Sequence, residues 1–405
     1  MSNVYERLGV PTIINAKGTS TRVSGAPMPP EIAAAMHEAT QHCVDMAQLQ
    51  GRASEIIAEA TGAEAGIVTA GASAGLLLGT AACLAGLDPA RMNRLPDTTG
   101  MRDEAVVVRS QRNFYDHAVR AAGAHLVEVG LADRFSGAGV RDAEPWEIDD
   151  AIGERTACVF YVAQPSSRPS LAAVTEVAHA NGVPVLVDAA SQLPPTRNLR
   201  RFLEEGADLV SISGGKAILG PQGSGILCGR RDLVASALLQ NLDQDLFFEQ
   251  WRPPSALFAG LNLRGLPQHG IGRSCKVGKE QIVALLVGLR RFVEEDIGER
   301  NQRCLGRLKE IEAHLDPEIG HVVRIEEGAN GQEPCLVLDV VPGPHGHSAF
   351  DLVIALQDGS PAVHVDPSFV DDGRVAMRAL CLKEGDARVI ARRVNEVLGR
   401  ARSPG

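Results

Sequence analysis

One stretch near the middle of the chain most constrains the fold, because two short apolar runs in it each lead to residues suited to catalysis. The runs at 183–187 and 208–213 have the β-branched composition of buried strands, and residues 200–205 between them predict a short helix. A strand–helix–strand order is the unit of a parallel sheet, and such sheets bind ligands at the carboxyl ends of their strands. Asp188 and Lys216 follow the two runs, so both are predicted to lie at that edge.

A carboxylate and a lysine at neighbouring strand ends suit pyridoxal phosphate, which needs a Schiff-base lysine and an acid that keeps its ring nitrogen protonated. Gly214 and Gly215 allow close backbone approach beside Lys216, and Ser213 is predicted to reach the cofactor phosphate. A single aspartate at a strand end is more often a turn former, and a single lysine is usually a solvated charge. The pair together favours a cofactor site in which Asp188 and Lys216 are the catalytic residues.

A second candidate for phosphate binding is the glycine-rich turn before a predicted helix rich in alanine and leucine. A turn of this kind offers backbone N–H groups and the positive end of the helix dipole to an anion. The alternative is that the small residues only allow close packing. With a candidate cofactor lysine downstream, the sequence favours phosphate binding by four residues of the turn: Gly71, Ala72, Ser73 and Ala74.

These motifs resemble those of the aminotransferase class V branch of the fold-type-I pyridoxal-phosphate enzymes. Cysteine desulfurases of that branch carry an aspartate, a nearby glutamine, a Ser-x-x-Lys sequence and a Gly-Pro-x-Gly loop. This chain has Asp188, Gln192, the sequence Ser-Gly-Gly-Lys at 213–216 and Gly-Pro-Gln-Gly at 220–223 in the same order. The resemblance implies that Gln192 also contributes to the cofactor site.

Three further segments narrow the resemblance. Residues 14–19, 49–75 and 272–280 are similar to bacterial selenocysteine synthases and to their shorter relatives, which include D-glucosaminate-6-phosphate ammonia-lyases. The resemblance implies an α/β, fold-type-I transferase architecture, with a mainly parallel seven-stranded sheet in a large domain and a small C-terminal α/β domain. The expected domains are an N-terminal arm and helix at 1–45, a large cofactor-binding domain at 46–270, and a bridging helix with the small domain at 271–405.

The resemblance also assigns a ring-stacking residue and a carboxylate-binding residue. Phe114 is the expected residue that stacks on the pyridine ring; Asn113 and Tyr115 are competitors, and a core position at a helix start is the alternative. Arg378 matches the arginine with which class V enzymes hold the substrate α-carboxylate, a task that suits the two-pronged donor geometry of a guanidinium. The alternative for Arg378 is a surface arginine on a strand.

Four other residues are expected to contact the substrate. Arg273 and Lys276 are expected to bind an anionic substrate group, or else to line an interface between subunits. Asn15 and Thr19 lie in a segment rich in Gly, Pro, Thr and Asn, and the alternative for them is an irregular N-terminal arm.

Composition disfavours several classes of partner. A formal net charge of −10 argues against nucleic acid and anionic membranes as partners. The eight cysteines lack CxxC spacing, which predicts reduced thiols in the cytoplasm and no disulfide framework or metal site. No signal-peptide pattern or membrane-spanning apolar run is found in the sequence. We therefore expect a cytoplasmic homo-oligomer that acts on a small molecule.

The predicted function is that of a pyridoxal-phosphate-dependent lyase, which eliminates a β-substituent from an amino acid or amino-sugar acid and then releases ammonia. Transamination, aldol cleavage and racemisation use the same residues, so an aminotransferase, an aldolase and a racemase are the alternatives. A selenium-transferase-like enzyme and a non-catalytic, cofactor-binding regulator are further alternatives.

Overall fold

The computed structural model describes residues 3–131, 142–317, 322–326, 328, 332–340 and 347–399. The chain forms two compact units, a large unit (Met28–Glu294) and a small unit (Met1–Pro27 with Glu295–Gly405). This division differs from the predicted domains at both ends. The first 27 residues join the C-terminal part of the chain, and the helix predicted to bridge towards the small domain belongs to the large unit.

Strands and helices are numbered in chain order over the described ranges. The strands are β1 (Ile13–Ala16), β2 (Ala65–Thr69), β3 (Glu104–Val108), β4 (His125–Val129), β5 (Thr156–Val162), β6 (Val185–Asp188), β7 (Leu209–Ser213), β8 (Gly225–Gly229), β9 (Val322–Glu326), β10 (Cys335–Asp339), β11 (Ala362–Val365) and β12 (Arg374–Arg378). The helices are α1 (Val4–Arg7), α2 (Pro30–Thr40), α3 (Met46–Thr61), α4 (Ala72–Ala85), α5 (Pro89–Arg94), α6 (Asp116–Ala121), α7 (Pro145–Ala151), α8 (Leu171–Ala180), α9 (Asn198–Glu204), α10 (Arg231–Asn241), α11 (Ser255–Phe258), α12 (Lys279–Glu294), α13 (Ile297–His314), α14 (Ala349–Gln357) and α15 (Asp386–Gly399).

A seven-stranded sheet in the order β2-β8-β7-β6-β5-β3-β4 forms the centre of the large unit. Strand β8 runs antiparallel to β2 and β7, and the other neighbouring strands are parallel. Every residue of β5, β6 and β8 is buried, which explains why their sequences are continuous apolar runs rather than alternating patterns. The prediction of a mainly parallel seven-stranded sheet is confirmed.

Helix α4 lies against the middle strands at a distance that only glycine permits. A Cβ atom on Gly75 would lie 2.4 Å from Oγ of Ser211 in β7, and one on Gly79 would lie 2.9 Å from Cδ1 of Leu186 in β6. The Ser211 hydroxyl donates a hydrogen bond to the carbonyl of Ala72 at 2.8 Å. These contacts hold the first turn of α4 against the carboxyl-terminal half of β7.

The small unit contains a three-stranded antiparallel sheet, β12-β10-β9, and a two-stranded parallel sheet of β1 and β11. Pairing of β1 with β11 places Asn15 opposite His364. Ile14 and Val363 share the apolar core of this unit, and that burial is the reason why the N-terminal segment joins the C-terminal part of the chain. Over the described residues, no helix has the length and apolar character needed to cross a membrane.

Candidate active site

Asp188 and Lys216 lie at one edge of the large sheet. Asp188 is the last residue of β6, and Lys216 follows Ser213, the last residue of β7, by three positions. The two strands are parallel neighbours, with Asp188 opposite Ser211. Both residues therefore stand at the carboxyl ends of adjacent parallel strands, where sheets of this kind bind ligands.

Burial shifts the pKa of both residues in the direction that favours their neutral forms. The Asp188 carboxylate is buried and accepts a hydrogen bond from the Ala190 N–H at 3.0 Å. Burial raises the pKa of Asp188, while the Ala190 hydrogen bond and the charge of Lys216 act in the opposite direction. Burial lowers the pKa of Lys216, partly offset by Asp188. A lysine with a lowered pKa keeps a larger neutral, nucleophilic fraction at neutral pH.

Two glycines allow the loop before Lys216 to pack against the following loop. A Cβ atom on Gly214 would lie 2.4 Å from Oγ of Ser224, and one on Gly215 would lie 2.6 Å from Cα of Gln222. The Gly214 N–H also donates a hydrogen bond to the Ser224 carbonyl at 2.9 Å. These close contacts fix the backbone from which the Lys216 side chain extends.

The first turn of α4 lies beside the end of β7. Gly71 has a φ of 92°, a left-handed conformation that favours glycine, and among the described residues no side chain caps this helix N-terminus. A Cβ atom on Gly225 would lie 2.6 Å from the backbone nitrogen of Ala72, and Gly225 pairs with Ser213 across β8 and β7. The exposed Ser73 hydroxyl, the Ser213 hydroxyl and uncapped N–H groups therefore belong to one region, and this donor set fits a phosphate.

Gln192 and Phe114 lie in different environments. Gln192 is half-buried in the segment after β6, where its backbone carbonyl accepts a hydrogen bond from Nδ2 of Asn198 at 2.6 Å. Phe114 is 90% exposed and precedes α6, so it is not a core residue at a helix start. Tyr115 is 59% exposed. Ring stacking by Phe114 stays a prediction.

Arg378 is the last residue of β12 in the small unit, and its guanidinium Nε donates a hydrogen bond to Oδ2 of Asp366 at 3.1 Å. A Cβ atom on Gly18 would lie 3.1 Å from Cδ of Arg378, so the N-terminal loop packs against the arginine stem. The half-buried Thr19 follows directly. The structure therefore brings Arg378 and the segment of Thr19 together within one unit. Asp366 carried no signal in the sequence beyond its place after a β-branched run.

The buried Asn15 side chain is occupied by its own loop. Its Nδ2 donates to the carbonyls of Gly18 and Gly25 at 3.0 and 2.9 Å, and its Oδ1 accepts from the N–H groups of Lys17 and Gly18 at 3.0 and 3.2 Å. These four bonds use the hydrogen-bonding capacity of the amide. These bonds favour a structural role for Asn15 in shaping the loop beside Arg378, and substrate binding by Asn15 stays a prediction.

The two basic residues predicted to bind an anion differ in their surroundings. Arg273 donates from Nη2 to Oδ2 of Asp243 at 2.8 Å, so its charge is already paired within the large unit. Lys276 is exposed. The pKa of Asp243 is lowered, first by the backbone hydrogen bond from Asp245 and then by Arg273. This ion pair gives Arg273 an acidic partner within its own unit, and both anion binding and a place at an interface between subunits stay predictions for Arg273.

A polar cavity of about 200 Å³ lies beyond the ends of β3 and β5. Its lining includes Val162, which pairs with Asp188 across β5 and β6, so the cavity adjoins the sheet edge that carries the candidate catalytic pair. Hydroxyl and amide side chains contribute much of the remaining lining: Ser110, Gln111, Asn113, Gln164, Ser166 and Ser167. The sequence singled out one residue of this lining, Asn113, and only as a competitor for ring stacking.

Comparison with known proteins agrees with this geometry. A family model described as aminotransferase class-V matches residues 109–242, a range that includes Asp188 and Lys216. The chain is 30% identical to a 5'-C-glycyluridine monooxygenase-decarboxylase from a Streptomyces species, over 97% of this chain and 92% of that relative. The chain belongs to the aminotransferase class-V family. It is also 27% identical to D-glucosaminate-6-phosphate ammonia lyase of Salmonella typhimurium (strain 14028s), over 98% of both chains.

A solved structure of D-glucosaminate-6-phosphate ammonia-lyase matches this class-V fold with a TM-score of 0.80 and 27% identity, covering 100% of both chains. The predicted fold-type-I architecture and its resemblance to ammonia-lyases are thereby confirmed. Pyridoxal phosphate is the cofactor of this family of enzymes, and the Asp188–Lys216 edge with its phosphate-compatible turn fits it.

Proposed function

We propose that this class-V enzyme is a pyridoxal-phosphate-dependent ammonia-lyase whose substrate is an amino acid with a hydroxylated chain, such as an amino-sugar acid. The observation that carries the proposal is the polar cavity next to the edge formed by Asp188 and Lys216. Its hydroxyl and amide groups, which line the cavity together with Arg112 and Asp142, can donate and accept hydrogen bonds, which suits the hydroxyls of a sugar-acid chain. The similarity to ammonia-lyases over the whole chain supports the same reaction type.

Lys216 would hold the cofactor through Nζ, while the first turn of α4, with Ser73 and Ser213, would bind its phosphate. Gln192 and Phe114 would contribute contacts to the ring. Asp188 would keep a proton on the ring nitrogen, because the buried carboxylate is the ionisable group at the adjacent strand end. Bound pyridoxal phosphate supplies an electron sink for negative charge at the substrate Cα.

Lys216 would also act as the base. Once the substrate amine has displaced it, its amine would take the proton from the substrate Cα, a task that the lowered pKa of Lys216 favours. Lys216 would return this proton to the departing β-hydroxyl, which would leave as water, and would then displace the substrate nitrogen. The released enamine would be hydrolysed to ammonia and a 2-oxo acid. In this scheme water is lost and regained, so the net products are ammonia and the deaminated acid.

Decarboxylation is the second candidate reaction. The observation that favours it is the 30% identity, over 97% of this chain, to a relative named as a monooxygenase-decarboxylase. The same cofactor site would then stabilise the negative charge left when the α-carboxyl group departs as carbon dioxide, rather than when a proton is removed. The presence of Lys216 and Asp188 does not determine which of the two reactions takes place.

Product analysis distinguishes the two candidates. The holoenzyme is incubated with D-glucosaminate, its 6-phosphate and D- and L-serine, and ammonia, 2-oxo acid, carbon dioxide and oxygen uptake are measured. We expect ammonia and 2-oxo acid in equal amounts from at least one hydroxylated substrate, without oxygen uptake. Carbon dioxide release in place of ammonia supports decarboxylation, and turnover of none of these compounds contradicts the proposed substrate class.

Arg378 is proposed to bind the α-carboxylate of the substrate, and Arg378→Lys tests this role. We expect the variant to lower kcat/KM for carboxylate substrates by roughly tenfold to a hundredfold, because one ammonium cannot replace a two-pronged guanidinium contact. Arg374→Lys on the same strand is the matched control, since Arg374 pairs with the exposed Asp372 at 2.7 Å. Equal kcat/KM values for Arg378→Lys and the unmodified enzyme would contradict the role.

We also propose a cytoplasmic homo-oligomer. All eight cysteines are free thiols, which suits a reducing compartment. Exposed aromatic residues on the large unit, among them the 74% exposed Phe247 and the 42% exposed Phe248, suit burial against a further copy of the chain. Light scattering of the holoenzyme in solution tests the assembly, and a monomer at micromolar concentration would contradict it.

A further inference from the structure

The guanidinium of Arg378 is hydrogen-bonded within the protein only on the edge that carries Nε, among the described residues. Its Nε donates to Oδ2 of Asp366 at 3.1 Å, and among the described residues this is the only hydrogen bond of the Arg378 side chain. The side chain is 33% exposed. The buried Glu333 carboxylate also interacts with the Arg378 charge, but its Oε1 accepts hydrogen bonds from the N–H groups of Ala379 and Leu380. The two Nη atoms make no hydrogen bond among the described residues, and their edge has the spacing needed to bind a carboxylate through two parallel hydrogen bonds.

Asp366 is itself held in one orientation. Its Oδ1 accepts hydrogen bonds from the Ser368 N–H at 3.2 Å and from the Ser368 hydroxyl at 2.6 Å, which leaves Oδ2 for Arg378. Its backbone exchanges two hydrogen bonds with Ala376 of β12, at 2.8 and 3.1 Å. The aspartate is buried, so thermal motion of its carboxylate is restricted by packing as well as by hydrogen bonds.

The stem of Arg378 is restricted as well. Gly18, with a φ of 93°, passes so close that a Cβ atom would lie 3.1 Å from Cδ of the arginine. The four hydrogen bonds of Asn15 hold this loop in place. The arginine is therefore confined at its aliphatic part by the loop and at Nε by Asp366.

Arg374, on the same strand, shows the contrasting arrangement. It donates from Nη2 to the exposed Asp372 at 2.7 Å, and its guanidinium lies 5.0 Å from the ring centre of Phe369. A terminal nitrogen is used in this pair. The surface ion pair of Arg374 therefore uses a terminal nitrogen, whereas the terminal nitrogens of Arg378 make no hydrogen bond among the described residues.

We propose that Asp366 is a positioning residue that orients Arg378 for recognition of a single substrate carboxylate. The inference rests on the proposed role of Arg378 in carboxylate binding. Asp366 does not touch the substrate; it holds Nε so that both Nη atoms face the carboxylate together. Asp366 thereby helps the enzyme to distinguish amino acids from the corresponding amines.

The test compares the binding of serine and ethanolamine, which differ only in the carboxylate. The holoenzyme is titrated separately with each serine enantiomer and with ethanolamine. The dissociation constants are obtained from the change in cofactor absorbance. We expect the unmodified enzyme to bind one serine enantiomer at least about tenfold more tightly than ethanolamine. Asp366→Ala should reduce this ratio by up to about tenfold, towards equal binding, and leave ethanolamine binding unchanged. KM for carboxylate substrates should rise with little change in kcat.

Two further variants complete the design. Asp366→Asn keeps the shape of the side chain and an oxygen acceptor, so it should reduce the ratio less than Asp366→Ala, and it carries the test should the alanine variant not fold. Asp372→Ala, which breaks the Arg374 pair, should leave the ratio unchanged.

Three results would overturn the inference. The first is an absent preference for serine in the unmodified enzyme. The second is an unchanged ratio in both Asp366 variants while Arg378→Lys lowers it, which leaves the role of Arg378 intact and removes only that of Asp366. The third is equal weakening of serine and ethanolamine, as a merely structural aspartate would give. An unchanged ratio in Arg378→Lys removes the proposed carboxylate contact itself.

Discussion

Replacing Lys216 with alanine is expected to abolish covalent cofactor attachment and to lower turnover by about 10³-fold to 10⁴-fold. The reason is that Lys216 would both hold the cofactor and remove the α-proton, and proton transfer by a positioned base commonly contributes up to about 10⁴-fold. Borohydride reduction of the unmodified enzyme should fix a phosphopyridoxyl group on the peptide that contains Lys216. Mass spectrometry of the digested protein measures this directly.

Lys309→Ala is the matched control for this experiment. Lys309 is an exposed residue of α13 with no role in the proposed site, so its loss should leave cofactor attachment and turnover unchanged. Labelling of any lysine other than Lys216 would contradict the assignment. Restored activity of Lys216→Ala with an added alkylamine would show that the missing group is a base.

Asp188→Asn is expected to retain the cofactor and to lower kcat by roughly a hundredfold or more. Loss of a preorganised charge in a water-excluded site is commonly worth a few kcal/mol. Asparagine keeps the shape of the side chain and can still accept the Ala190 hydrogen bond, so the fold should persist. The loss should therefore appear in steady-state turnover rather than in the cofactor content, which absorbance and phosphate analysis measure.

Asp103→Asn separates this effect from the general cost of changing a buried carboxylate. Asp103 is buried and paired with Arg155 at 2.7 Å, but it precedes β3 and so lies at the amino end of a parallel strand. We expect a lower Tm and an unchanged kcat for this variant. A kcat near that of the unmodified enzyme for Asp188→Asn would contradict the role of Asp188.

The edge that carries Asp188 and Lys216 was predictable from the sequence. Both strands are buried on their two faces, so their apolar runs are continuous, and the polar residues that end each run mark the carboxyl edge. The predicted runs at 183–187 and 208–213 overlap the observed strands Val185–Asp188 and Leu209–Ser213. A local pattern is enough here because a parallel strand–helix–strand unit closes within a short stretch of chain.

The residues that surround Arg378 could not be predicted from a local sequence pattern. Arg378 meets Gly18 from the other end of the chain, and β1 pairs with β11 across more than three hundred residues. A strand pattern shows that a segment pairs but not with which partner, because the partner is chosen by packing of the whole core. For the same reason the sequence assigned Asn15 to the substrate, whereas its amide is used within its own loop.

The sequence by itself determined the parallel strand–helix–strand unit of residues 183–213 and the cofactor class, and it predicts Asp188 and Lys216 as the residues at the carboxyl edge, because these depend on local periodicity and residue chemistry. The tertiary structure decided the membership of the N-terminal segment, the pairing of Arg273 with Asp243, and the pKa shifts of Asp188 and Lys216. These properties depend on burial and on contacts between distant segments, which exist only after the chain has folded.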